Sequence, residues 1–114
     1  MPLTITADSA SIGTTEYSLP ADTTTGVPTA QTDDCVLEVE VYIASMAAAD
    51  SYQFKLYEKA GTSTQGAEWT AYVTGANPGP HRFTVGVVGD GWDFTAKKLA
   101  GTDRTVHWSL RKIT

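Results

Sequence analysis

Apolar and polar residues alternate along most of the chain. In the stretch VLEVEVYIA (36–44), Leu37, Val39 and Val41 fall on one side of a period-two pattern, and Glu38 and Glu40 fall on the other. The same period recurs in TTEYSL, YQFKLYEK, EWTAYVT, RFTVGVV, WDFTAKKL and TVHWSLRKI. Alternation of this kind is typical of strands that bury one face. The pattern therefore predicts about seven β-strands.

The stretches between these segments are rich in residues that favour turns. AGTSTQGA (60–67), GANPGP (75–80), GDGW and AGTDR all contain Gly, Pro, Asn or Ser where a strand would have to continue. Strands at this spacing predict an all-β fold, an antiparallel β-sandwich of jelly-roll-like or Ig-like type, in a single domain covering residues 1–114. Only IASMAAADS (43–51) has the alanines to form a helical turn, and the run is too short for a helix that is stable alone.

The parity of the alternation divides the large residues into a core set and an exposed set. The predicted core comprises Leu37, Val39, Val41, Phe54, Leu56, Trp69, Phe83, Val85, Trp92, Phe94, Trp108 and Leu110. Tyr42, Tyr57 and Tyr72 fall on the opposite, polar parity. Because tyrosine supplies contact area at little entropic cost, these three residues are the better candidates for an exposed interface. The alternative is that they cover a second sheet or lie singly on the surface.

The segment PADTTTGVPTAQTDD (20–34) contains almost no large apolar residue, and we expect a long exposed loop or arm. Two interpretations remain open at this point. The segment is either a flexible connection or a loop that orders against a neighbouring subunit. On the second interpretation, Thr23, Thr24, Thr25 and Val27 join the tyrosines as interface candidates.

Composition and charge exclude several classes of function. The chain has 114 residues, of which 41% are hydrophobic and 18% charged, as expected for a folded domain. Its net charge of −5, with no clustered basic residues, argues against nucleic acid as a partner. No apolar run approaches the roughly 18 residues that span a bilayer, so no membrane partner is expected. The start of the chain lacks the basic and apolar regions of a secretory signal.

The stretch GTDRTVHWSLRKI near the end of the chain contains the three residue types of a hydrolytic triad, but at an unsuitable spacing. His107 and Ser109 lie two residues apart in a predicted strand, which separates them by about 6.5 Å. A base and its nucleophile need a hydrogen bond of roughly 3 Å. Asp103 falls in the preceding turn. We therefore predict no catalytic residues in this stretch and no enzymatic activity.

The sequence contains no recognisable metal or cofactor motif. The two histidines, His81 and His107, lie in different segments, and neither a phosphate-binding nor a dinucleotide glycine pattern occurs. The single cysteine, Cys35, excludes an intrachain disulfide and is expected to be a small buried residue at the start of a strand. We expect no metal and no cofactor.

Three stretches, SIGTTEYSL, YEKAG and GWDFTAKKLAGTDRTVHWSLRK, together resemble small virion proteins of tailed bacteriophages. The resemblance implies a structural protein, made in the host cytoplasm, of the capsid decoration or cement type. Such a protein binds the major capsid protein on the outside of the shell and stabilises it. The resemblance also favours a homo-oligomer, specifically a trimer, and supplies no active-site residues. The alternative is a carbohydrate-binding module, or a tail- or fibre-associated module for host attachment.

Overall fold

The computed structural model describes residues 3–24, 30–60 and 63–114. These residues form nine strands and no helix. In chain order the strands are β1 (Leu3–Ile12), β2 (Tyr17–Ser18), β3 (Thr23–Thr24), β4 (Cys35–Ile43), β5 (Ser51–Glu58), β6 (Gly66–Thr74), β7 (His81–Val88), β8 (Asp93–Ala100) and β9 (Arg104–Ile113). Within these residues there is accordingly no helix long and apolar enough to span a membrane.

The strands form two antiparallel sheets, which confirms the predicted all-β sandwich. The four-stranded sheet has the order β1-β9-β4-β7, and the five-stranded sheet has the order β3-β2-β8-β5-β6. The seven predicted strands correspond to β2 and to β4 through β9. The alternation did not predict β1, because nearly all of its residues are exposed on both faces, nor β3, which is only two residues long.

The core lies between the two sheets and contains the residues that alternation placed there. Nine of the twelve predicted core residues are fully buried, while Trp69, Phe83 and Val85 are partly buried and pack against the core. Trp69 and Phe83 also contact Phe94, with ring centroids 5.7 and 5.8 Å away from it. Aromatic pairs at these separations add to the free energy gained by burial.

One residue of β7 departs from the predicted alternation. The pairing of β7 with β4 contains a bulge, and Gly86 in β7 has a positive φ of 90°. A bulge inserts one residue and therefore shifts the alternation of the strand by one position. Val87, which has the same parity as Phe83 and Val85 in the sequence, is 79% exposed, and Val88 is buried instead.

The segment 43–51 forms no helix and is instead organised around the carboxylate of Asp50. The backbone N–H of Asp50 donates to the carbonyl of Ala47 at 3.0 Å. Its side chain accepts hydrogen bonds from the backbone N–H of Ala47 at 2.9 Å and of Thr102 at 3.0 Å, and from Arg104 Nε at 2.7 Å. An aspartate that bonds nearby backbone favours a turn over a helix.

The described ends of the predicted arm are bonded to the sandwich. At one end, the hydroxyl of Tyr17 donates to Asp22 at 2.6 Å. At the other end, Gln31 forms a bridge with Trp92, and the indole N–H of Trp92 donates to the carbonyl of Asp33 at 2.9 Å. Residues 25–29, which include the candidates Thr25 and Val27, lie outside the described residues.

Candidate interaction surface

The predicted interface residues do not form one patch. Tyr42 lies on the outer face of the four-stranded sheet, whereas Tyr72 lies on β6 at an edge of the five-stranded sheet. Both are exposed. Thr23 and Thr24 are exposed on β3, at the opposite edge of the five-stranded sheet. Because strand order separates these positions, a single partner surface would not contact all of them.

Tyr57 is not an interface residue, because it is buried. Its hydroxyl donates to the carboxylate of Glu16 at 2.6 Å, and the hydroxyl of Thr95 donates to the same oxygen. Tyr57 does point away from the sandwich core, as its parity predicts. However, the chain before β2 places Glu16 beside it, and the residue is only 8% exposed. Burial, followed by the hydrogen bond to Glu16, raises the pKa of Tyr57 above its ordinary value.

A polar cluster therefore occupies part of the outer face of the five-stranded sheet. Besides Tyr57, Glu16 and Thr95, it contains Ser18 and Asp93, whose side chains are joined by a hydrogen bond of 2.7 Å. Ser18 and Asp93 are both fully buried. Buried polar groups that are mutually bonded fix side-chain positions and resist replacement by apolar groups. This part of the sheet is accordingly structural rather than a free surface.

The outer face of the four-stranded sheet carries a row of apolar residues, which we call the apolar row. Leu3, Ile113, Val36 and Val87 are successive partners across β1, β9, β4 and β7. Leu3, Val36 and Val87 are exposed, as is Ile5, which lies one step further along the same face of β1. Contiguous exposed apolar side chains on a soluble domain indicate a binding surface.

A group of paired charges lies beside the apolar row. The guanidinium of Arg111 bonds Glu38 at 2.9 Å and Glu40 at 3.1 Å, and Arg82 lies 3.6 Å from each of the same two carboxylates. The hydrogen bond with Glu38, and then the charge of Glu40, raise the pKa of Arg111. Two acidic and two basic groups cancel, so this part of the face is locally neutral in a chain of net charge −5.

The opposite end of the same face carries Tyr42 beside His107, with ring centroids 6.3 Å apart. These residues and Ser109 line a shallow depression that also includes Asp8 and Glu40. Asp103, the third residue considered for a triad, does not line this depression. It lies in the β8–β9 turn and is paired with Lys98. The prediction that this strand is not catalytic stays a prediction.

The candidate metal ligands and thiol have structural positions. His81 bonds the backbone carbonyl of Asn77 at 2.8 Å, and within the described residues no group of three potential ligands is close enough to hold a metal ion. Cys35 is buried at the start of β4, as expected. Burial, followed by the charge of Asp33, raises the pKa of the Cys35 thiol and so lowers its reactivity.

The apolar row could not be recognised from alternation alone. In β4, Val36 falls on the same side of the alternation as Glu38 and Glu40. In β7, Val87 falls on the apolar side of the alternation, but the bulge turns its side chain outward. Leu3 belongs to a strand that was not predicted. One signal was present, since an apolar residue on the polar parity of a strand, such as Val36 beside Glu38, indicates an exposed contact.

Comparison of the chain with protein-family models, with curated proteins and with solved structures gave no match.

Proposed function

We propose that this protein is a non-enzymatic structural component of a tailed-phage particle. In this proposal it is a decoration or cement protein that binds the major capsid protein on the outside of the shell and stabilises it. The resemblance of its three sequence stretches to phage virion proteins supports the class of particle. The apolar row is the observation that supports docking, and it provides the surface for it.

The apolar row has the physical properties of a docking surface. Its side chains stand on four hydrogen-bonded strands, so they are already held in position and lose little conformational entropy on binding. Covering an exposed apolar side chain contributes roughly 25 cal/mol per Å² removed from water. The neighbouring charges of Arg111 and Glu38 are already bonded to each other, so a partner need not supply a counter-charge. These features favour a mainly apolar patch on the capsid protein.

The experiment is co-sedimentation with empty capsids of the phage that encodes the chain. Val36→Lys and Val87→Lys each place a charge in the apolar row, and both positions are exposed, so the variants are expected to fold. We expect each variant to bind at least about tenfold more weakly, because a desolvated unpaired charge opposes docking. Tyr72→Lys, at an exposed site on the other sheet, is the matched control and should bind like the wild type. Wild-type protein that stays in the supernatant would refute the proposal.

The second candidate function is carbohydrate binding, which one observation supports. The depression lined by Tyr42 and His107 combines an exposed aromatic ring with the polar residues Glu40 and Ser109. The three tryptophans provide no sugar-stacking platform, because Trp92 and Trp108 are buried and Trp69 packs against the core. A glycan array distinguishes the candidates. Binding that Tyr42→Ala abolishes, together with no capsid binding, would favour the carbohydrate-binding alternative.

A further inference from the structure

The described part of the sandwich has four edge strands, and three of them are poorly suited to pairing with another chain. Natural edges are blunted by short length, charged residues and bulges. The edge strand β3 has two residues. The edge strand β6 has a register irregularity opposite Leu56 and Tyr57 and carries Glu68. The edge strand β7 contains the bulge at Gly86 and carries Arg82.

The remaining edge, β1, lacks these features over its first half. It pairs with β9 in one uninterrupted register from Leu3 to Ile12. Residues 3–7, with the sequence LTITA, carry no charge, and all five are exposed. Within the described residues, β1 has no strand partner on its outer edge, where its backbone N–H and C=O groups face outward. Apolar side chains flank this edge on one face and threonine side chains on the other. Its first charged residue is Asp8.

We infer that β1 is a homodimerisation edge, at which two copies of this chain pair antiparallel about a two-fold axis through Ile5. In this register Ile5 lies opposite Ile5 of the second copy, Leu3 opposite Ala7, and Thr4 opposite Thr6. Apolar residues therefore meet apolar residues, and threonines meet threonines. Such cross-strand pairs stabilise antiparallel sheets. The two four-stranded sheets become one continuous sheet of eight strands.

The charges support a second copy as the occupant of this edge. Asp8 does not lie opposite Asp8 of the second copy in this register, so no like charges meet directly. On β9, which neighbours β1, Arg111 is bonded to Glu38 and Glu40, and Lys112 is bonded to Asp33 at 2.9 Å. The cations closest to the edge are therefore already neutralised within each copy.

The pairing also extends the apolar row. A two-fold axis perpendicular to the sheet keeps odd-numbered residues of β1 on the same outer face in both copies. Leu3 and Ile5 of one copy then lie beside Ala7 and Ile5 of the other, and the two apolar rows lie on one surface. The dimer does not depend on the proposed capsid docking, but it would present two such surfaces with fixed spacing.

Sedimentation velocity over a range from low to high micromolar protein tests the dimer. We expect the wild type to shift from monomer to dimer with increasing concentration. Ile5→Lys places two ammonium groups opposite each other and should weaken dimerisation about tenfold or more. Val87→Lys, on the far edge of the same sheet, should dimerise like the wild type. A monomer at all concentrations, a trimer, or a dimer that Ile5→Lys leaves intact would overturn the inference.

Cross-linking tests the register independently. In Ile5→Cys the two Cβ atoms would lie about 4.5–5.5 Å apart across the axis, close enough for a disulfide after a small adjustment. This variant should form a covalent dimer under mild oxidation, and Val87→Cys should not. The wild-type protein is the control for Cys35. Because Cys35 is buried, the oxidised wild type should run as a monomer on a non-reducing denaturing gel. Equal cross-linking of both variants would argue against pairing at β1. The two proposals can fail separately. A protein that binds capsids but does not dimerise would contradict only this inference, and a protein that dimerises but does not bind capsids would contradict only the proposed function.

Discussion

Asp50 and Arg104 form an ion pair of 2.7 Å that joins the β4–β5 turn to the start of β9. The carboxylate is almost completely buried. It also lies against Gly101, where the Cβ atom of any other residue would overlap the Asp50 carboxylate. Gly101 has a positive φ of 90°, which glycine adopts at no steric cost. The pair therefore fixes the path of two turns at one end of the sandwich.

Asp50→Asn should lower the melting temperature by several degrees at neutral pH. Hydrogen bonds from the Ala47 backbone, then from Arg104, lower the pKa of Asp50 to about 2, from an ordinary value of 3.8. A lowered pKa stabilises the fold above the ordinary pKa, and this contribution is lost as pH falls through the folded value. The difference between wild type and variant should therefore shrink between about pH 4 and pH 2. Thermal melts across this range check it, with Asp90→Asn as the exposed control.

Glu58→Gln should stabilise the protein at pH 8 and have little effect at pH 4. Burial, then a hydrogen bond and charge repulsion from Glu68, raise the pKa of Glu58 to about 7, from an ordinary value of 4.5. The raised pKa means that stability is greatest below the ordinary pKa and is lost as pH rises through 7. We expect a gain of about 1 kcal/mol at pH 8, since solvent screens this partly exposed pair. Urea titrations at the two pH values measure it, and a gain of equal size at both would contradict it.

Tyr57→Phe should destabilise the fold by about 1–2 kcal/mol, because it removes the hydrogen-bond donor that the buried Tyr57 provides to the partly buried carboxylate of Glu16. Tyr72→Phe is the control, since the Tyr72 hydroxyl is exposed and only accepts a long bond of 3.4 Å from Gln53. Chemical denaturation of both variants measures the difference. If the two variants unfold at the same denaturant concentration, the polar cluster does not contribute to stability.

Trp108→Ala should cost about 3–5 kcal/mol of the free energy of unfolding, because it removes a large buried side chain from the core. Trp108 is 3% exposed, and its ring lies 5.8 Å from that of Tyr17, so the cavity would open between the two sheets. Equilibrium unfolding followed by circular dichroism measures the loss. A variant that unfolds like the wild type would show that Trp108 is not a core residue.

His107→Ala and Ser109→Ala should leave capsid binding unchanged and change stability by no more than about 0.5 kcal/mol each. Both side chains lie on the outer face of β9, at the end of the sheet away from the apolar row. Co-sedimentation with capsids and a panel of hydrolase substrates check this. A hydrolytic activity of the wild type that both substitutions abolish would contradict the non-enzymatic proposal.

Local patterns in the sequence were sufficient for the fold class and for most of the core. Leu37, Val39 and Val41 alternate with charged residues because a sheet places successive side chains on opposite faces, and this rule holds wherever one face is buried. The buried positions of Trp92 and Trp108 follow from the same rule. Alternation is a property of neighbouring residues, so it can be recognised without knowledge of the partner strand.

The interaction surface depended on contacts between residues far apart in the chain. Parity placed Tyr57 correctly outside the core, but only the fold brings Glu16 over it and buries it. The bulge opposite β4 reversed the orientation of Val87, and strand order brought it into line with Val36 and Leu3. Sequence by itself determined which residues avoid water along each strand. Tertiary structure alone decided which exposed residues share a surface, because strand order and bulges are set by pairing between distant segments.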